Sequence, residues 1–352
     1  MTGRTALHDH LVNRGARHDE DRGILLPARF GEEDLAVEYG ALREGGALLD
    51  LGFRTLVRAT GTDRISFLQG MLTNDVAGLA SGAGCAALLL TIQGRVTADL
   101  RVAMLPDAIL LDVDVRVRAH LLEALGKLII ADDVELSDPA EPVALVGLDG
   151  PRAALLLGEA VAPLPAWGHV ETVVAGVTVR VQRASEVRGP GFVLHVPAAQ
   201  APAVWDELAA RGARPCGMLA LEARRIELGI PRIAADMDAS TLTLEVPVDD
   251  ALSSTKGCYL GQEVVARATA RGHVNRRLVG LLLEGPPAPA GAPLVREGKE
   301  VGHLTSTARS VALGRQIGLG FVRREHWEPG TELAVRHGHA VTLARVAALP
   351  LA

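Results

Sequence analysis

The run Lys256-Gly257-Cys258-Tyr259-Leu260-Gly261-Gln262-Glu263 sets a thiol between a lysine and a glycine-flanked turn. It lies just ahead of a segment, Val264 to Ala270, that reads as helical. An ammonium and the free N–H groups at a helix start both stabilise negative charge, so this setting favours thiolate over thiol. Composition sharpens the point. Among 36 Lys+Arg only three are lysines (Lys127, Lys256 and Lys299), and the cysteines are equally few: Cys85, Cys216 and Cys258. The competing reading makes Cys258 a small buried hydrophobe and Lys256 a solvated turn residue. The lysine, the glycines and the helix start together favour the chemical reading.

The elements that must position such a motif are legible in outline. Gly61-Thr62-Asp63-Arg64 followed by Ile65, Phe67, Leu68, Met71 and Leu72 predicts a capped amphipathic helix ending at the turn-forming Thr73-Asn74-Asp75. Cys85 to Ile92 and Val96 to Leu105 predict two strands joined at Gln93-Gly94-Arg95, with a strand at 109–113 and a helix at 117–125 beyond. From Val143 a second unit of strands and helices begins. Its last helix, Met218 to Leu228, stops at Gly229 with Pro231 just beyond. After Arg276 short glycine-separated strands predict a small antiparallel barrel. Helices mixed with antiparallel strands indicate an α+β fold. The expected divisions are a flexible arm at 1–29, a first α+β domain at 30–142, a second at 143–273 and the barrel at 274–352.

Composition bounds the function. At 352 residues with 48% hydrophobic and 22% charged content, the chain is an ordinary folded one of two or three domains. A net charge of −6 and no long Lys/Arg block argue against a nucleic-acid partner. No apolar run is long enough for a membrane span, and Met1 to Arg22 is too polar for a signal peptide, so cytoplasm is the expected location. Three cysteines without CxxC do not supply the four thiolates of an ordinary iron–sulfur cluster, and no resident metal site is expected.

Four blocks, in order, carry a family resemblance over about residues 30 to 345: Gly61 to Asp75, Thr91 to Asp99, Leu221 to Pro231 with Asp236, and the cysteine motif with the tail from Arg271 to Gly280. Together they resemble the YgfZ/Iba57 family, folate-binding relatives of the glycine-cleavage aminomethyltransferase linked to iron–sulfur protein maturation. The resemblance implies a three-domain ring with a C-terminal antiparallel β-barrel, around a pocket for tetrahydrofolate or a one-carbon derivative. It implies that Asn74, Asp75, Asp99, Arg225 and Glu227 line that pocket. A carboxylate suits the pterin's amino-pyrimidine edge, and an arginine fork suits the glutamate tail. Against this stand blander roles: a helix-exit turn for Asp75, and ion pairs on a solvated helix face for Arg225 and Glu227. In the motif, Lys256 would activate Cys258, Gly257 and Gly261 would shape the turn, and Tyr259, Gln262 and Glu263 would hold it. Iron–sulfur client or assembly proteins are the implied partners, and a monomer is expected. Aminomethyltransferases resemble the chain too, but carry adjacent aspartates where Ala98-Asp99 stands here. Loss of one acid from a site for a cationic intermediate favours folate binding without that chemistry; the alternative is a folate-dependent aminomethyltransferase or demethylase.

Overall fold

The computed structural model describes residues 3–31, 35–271 and 274–352. Its sheets are built by alternation. In the strand Val96–Met104, Ala98, Leu100, Val102 and Met104 enter one apolar core, which leaves Asp99 and Arg101 on the opposite face. Ile109–Asp114 repeats the pattern, with Ile109, Leu111 and Val113 in that core and Asp112 and Asp114 opposite. Both strands belong to a five-stranded sheet ordered 84–90, 96–104, 109–114, 54–60, 135–137. Helices Arg64–Met71 and Val115–Gly126 cover its apolar face with Phe67, Leu68, Leu121 and Leu125.

A second, six-stranded sheet is ordered 169–174, 177–182, 191–197, 143–149, 47–50, 214–215. Val146, Leu148 and Leu194 pack on Val204, Trp205 and Leu208 of the helix Ala201–Ala210. The strand Ala47–Asp50 pairs antiparallel with Val143–Asp149, Leu48 opposite Leu148. The expected first and second domains therefore share a sheet, and a cut at 142/143 would split it. The expected division at 273 lies outside the described residues.

The N-terminal segment is no flexible arm. Leu7 and Leu11, four residues apart and so on one side of the short helix His8–Asn13, are fully buried in the core that holds Leu48 and Val146. Ile24–Phe30 is the central strand of a three-stranded sheet with Gly3–Arg4 and Ala16–Asp21. Most of the polar side chains that suggested an arm are exposed, with His8 a buried exception.

By contacts the chain forms two units. The first comprises Met1–Leu90, Thr97–Leu221 and Asp250–Leu260, the second Thr91–Val96, Glu222–Asp249 and Gly261–Ala352. The second contains a closed antiparallel barrel of six strands, ordered 276–284, 316–323, 299–309, 293–296, 332–337, 340–347. The α+β class and the C-terminal antiparallel barrel are as the sequence indicated. The strand Pro293–Arg296 was not anticipated: it is four residues long, starts with proline and follows a proline-rich turn, yet Leu294 is wholly inside the barrel. No described helix is long and apolar enough to cross a membrane.

Candidate functional site

Two sequence motifs some 180 residues apart meet in the first unit. The turn after helix Arg64–Met71 is tied internally: Gln69 Oε1 accepts from the N–H groups of Val76 and Ala77, and its Nε2 donates to Asp75 Oδ1 at 2.9 Å. The segment 250–260 is zipped along this turn. Asn74 Nδ2 donates to the Asp250 carbonyl at 3.1 Å and to that of Ala86 at 2.7 Å. Thr73 Oγ1 donates to the Ala251 carbonyl at 2.6 Å, and the Leu260 N–H reaches Gly70 O at 3.0 Å. Lys256 closes the zip. Its Nζ donates to the carbonyls of Gln69, Leu72 and Asn74 at 2.6, 2.6 and 2.9 Å, which uses all three of its protons. Those carbonyls lie at the negative end of the helix dipole, where a cation is favoured.

This geometry corrects the role expected of Lys256. Its three donors are spent on the carbonyls at the helix end, so none is left to hydrogen-bond the thiol. Burial pulls its pKa down to about 8 against the upward pull of the Asp75 carboxylate. The ring of Tyr259 lies 5.2 Å from Nζ and is itself buried, so it shields one side of the ammonium. The cysteines divide sharply. Cys258 is exposed, whereas Cys85 and Cys216 are buried, and burial pushes the Cys85 thiol to about 12. Of the motif's glycines, Gly261 sits at φ +82°, a left-handed conformation that favours glycine, while a Cβ on Gly257 would meet nothing within 4 Å. Gln262 opens the helix Gln262–Arg271, and Glu263 lies in its first turn, the favourable place for an acid.

Asp99 belongs to a different group, on the polar face of the five-stranded sheet. Arg54, buried, donates through Nε to Asp112 Oδ1 at 2.6 Å and through Nη1 to Asp99 Oδ2 at 3.1 Å. Arg101 donates to the other Asp112 oxygen at 3.3 Å and pairs with Glu186. Burial works to raise the pKa of Asp99, but the Arg54 and Arg101 guanidiniums outweigh it and hold the carboxyl below its usual range. Asp99 Oδ1 is buried and has no hydrogen-bond partner among the described residues. Arg54, Arg101, Asp112 and Glu186 escaped the sequence reading. For Arg101 and Asp112 the available signal was a charged residue at alternate positions of otherwise apolar strands; Glu186 lies in a loop and carried no such mark.

Ala98 requires a second correction. Its side chain is fully buried in the apolar core on the far face of the strand from Asp99. An acid missing at 98 thus removes no charge from the face that carries Asp99.

Arg225 and Glu227 lie in the second unit, buried and engaged. Arg225 donates from Nε and Nη2 to Glu222, from Nη1 to Asp236 Oδ2 at 2.8 Å and to the Ile230 carbonyl at 3.0 Å, and from Nη2 to Ser306 Oγ at 2.8 Å. All five of its N–H groups are used, which leaves none for a folate carboxylate. Glu227 accepts from Ser310 Oγ and from Arg224. Neither residue lies on a solvated face: Arg225 is 2% exposed and Glu227 is 0%. A cavity of about 890 Å³ on the same unit is lined by Arg95, Ser240, Arg276, Lys299, Glu300 and Arg323 among others, and by none of the residues expected to line the folate pocket or to form the cysteine motif.

An α+β first part followed by a closed six-stranded barrel defines a glycine-cleavage-T-like fold. Residues 7–256 match the GCVT N-terminal domain, and residues 276–352 match the glycine cleavage T-protein C-terminal barrel domain. The chain belongs to the glycine cleavage T-protein family. It is 33% identical to an aminomethyltransferase of Rubrobacter xylanophilus over 99% of this chain and 93% of that one. It is 30% identical to a chloroplastic protein of Arabidopsis thaliana named provisionally as a transferase, over 93% of this chain and 76% of the relative. The glycine cleavage system aminomethyltransferase T of Bartonella henselae shares the fold, with a TM-score of 0.88 at 21% identity over 100% of this chain and 98% of that one.

Proposed function

We propose that the protein binds tetrahydrofolate or a one-carbon derivative and assists iron–sulfur cluster assembly or repair in client enzymes, with Cys258 as its working thiol. The observation that carries this reading is the exposed Cys258 in a loop pinned to a helix end by Lys256. A thiol meant only for packing would be buried, as Cys85 and Cys216 are. The Lys-Gly-Cys-Tyr-x-Gly-Gln-Glu wording of the YgfZ-type signature supports the maturation role.

Tetrahydrofolate brings N–H donors on its pterin and carboxylates on its tail. The residues present fit the first part: Asp99 is a carboxylate with an oxygen that no described group serves. Arg225 does not fit the second, because its fork is filled. When bound, folate would carry a one-carbon unit; the protein's part is to orient it through Asp99 and to present the thiol. A second reading, folate-dependent aminomethyl transfer, draws on the aminomethyltransferase relatives and on the finding that Ala98 takes no acid from the Asp99 face.

The test pairs two assays. Calorimetric titration with tetrahydrofolate should show saturable binding that Cys258→Ser leaves within about threefold. In cells lacking the protein, the wild type should restore iron–sulfur enzyme activities and Cys258→Ser should not. Equal restoration would remove the thiol from the function, and steady turnover of an aminomethyl donor with tetrahydrofolate would favour the second reading.

A further inference from the structure

Three carboxylates and two guanidiniums share the polar face described above, and they are not equivalent. Asp112 is 1% exposed at its side chain and bridges both guanidiniums. Glu186 is 11% exposed and is taken by Arg101. Asp99 is 30% exposed and receives from a side chain at one oxygen only. It is where the network opens outward.

Arg54 sets the terms of that opening. Its side chain is 4% exposed, and Nε and Nη2 are fixed on Asp112, at 2.6 Å to the carboxylate and 3.0 Å to the carbonyl. Two anchors on one residue lock the plane of the guanidinium and leave Nη1 directed at Asp99 Oδ2. The strand register makes this possible, with Arg54 opposite Asp114 and Arg101 opposite Asp112, so neighbouring strands bring the charges to one face. Asp99 Oδ1 is left without a partner among the described residues, and a buried oxygen without a donor costs about 1–3 kcal/mol until one arrives.

We infer that Arg54 is a positioning residue whose guanidinium fixes Asp99 as the hydrogen-bond acceptor for an N–H group of the bound folate. This rests on the folate reading above. Arg54 spends Nε and Nη2 on Asp112 and the Asp99 backbone, turns Nη1 to the Asp99 carboxylate, and acts through Asp99. The charged groups that face Asp99 are Arg54 from the strand Arg54–Thr60 and Arg101 from its own strand; Asp112 and Glu186 lie behind them.

The test compares the wild type with Arg54→Met by two readouts. In ligand-free protein, carboxyl carbon NMR should show Asp99 titrating at higher pH in Arg54→Met than in the wild type. Calorimetric titration with tetrahydrofolate from pH 8 to pH 5 should give nearly constant affinity in the wild type. Arg54→Met should bind about tenfold more weakly than the wild type at pH 8, where Asp99 is charged but no longer held, and lose about a further tenfold by pH 5; Arg54→Lys should recover most of the affinity and the flat profile. Where Arg54→Met does not fold, the double variant Arg54→Met, Asp112→Asn removes the buried charge as well and replaces it. An Asp99 midpoint unmoved by the substitution overturns the inference even if folate binds. A loss of affinity equal at every pH does so too, because it marks a merely structural arginine. Wild-type protein that binds no tetrahydrofolate sinks the folate reading and the acceptor role with it, while the NMR titration still decides whether Arg54 governs Asp99.

Discussion

Lys256 is one of three lysines in an arginine-rich chain, and its geometry explains why an arginine would not serve. Three carbonyls converge on one point, which suits a compact ammonium better than a planar fork. A hydrogen bond from a charged donor contributes about 1.5–3 kcal/mol, but this side chain is only half buried and solvent screens part of that. Lys256→Met should therefore lower stability by about 2–3 kcal/mol, read by urea denaturation, and should loosen residues 250–260 in hydrogen exchange. Unchanged exchange there would show that the zip holds without its lysine. At this scale the motif was plain in the sequence, but its partner was not. The carbonyls that hold Lys256 are backbone groups 180 residues away, and nothing in the residue types at 69, 72 and 74 marks them as acceptors.

The strands of the six-stranded sheet carry a second set of titratable groups, buried on the face away from the apolar core. Burial first, then the nearby Glu186 carboxylate, push the Asp149 carboxyl up to about 7. Burial, then Arg180, push His195 down to about 3. Asp149 Oδ1 and both His195 ring nitrogens have no hydrogen-bond partner among the described residues. The signs are opposite. Folded Asp149 keeps a proton that the unfolded chain loses above pH 4, so its contribution is largest in acid and is lost as pH rises through about 7. Folded His195 stays neutral where the unfolded chain charges, so stability falls as pH drops below about 6.5 toward 3. Between pH 4 and 6.5 the two trends oppose each other. Asp149→Asn should match the wild type near pH 4 and exceed it by a few kcal/mol, on the order of 2–4, at pH 8. Denaturation midpoints at the two pH values give the comparison, and a constant difference would place the shift elsewhere. A neighbouring glycine is fixed by the same carboxylate: a Cβ on Gly191 would lie 1.9 Å from Asp149 Oδ1. Strands and helices were legible here because apolar residues alternate or recur at helical spacing. The polar face was not, because pairing across strands decides which charges meet.

Over the whole molecule, chain order and structural units part company. The second unit takes Thr91–Val96 and Glu222–Asp249 as well as the barrel, and the first takes back Asp250–Leu260. Contiguous domains were the natural expectation from composition, since a sequence shows where texture changes but not which distant segments pack together. The network around Arg225 illustrates the consequence. Asp236 accepts from Thr305 and Ser306, and Glu227 from Ser310, so three barrel hydroxyls satisfy acids that precede the barrel by about 70 to 80 residues. A chain ended at residue 273 would strip those buried acids of their hydroxyl donors, and it should not unfold cooperatively as the full chain does. Arg225→Ala tests the same point within the intact chain. Breaking a buried pair by removing one partner costs about 3–5 kcal/mol, because Asp236 would remain charged and buried without its guanidinium, while Glu222 keeps Arg232. The variant should melt well below the wild type by calorimetry. At a temperature where it is still folded, it should bind tetrahydrofolate within about threefold of wild type. A large loss of affinity with unchanged melting would reverse the assignment and return Arg225 to the ligand.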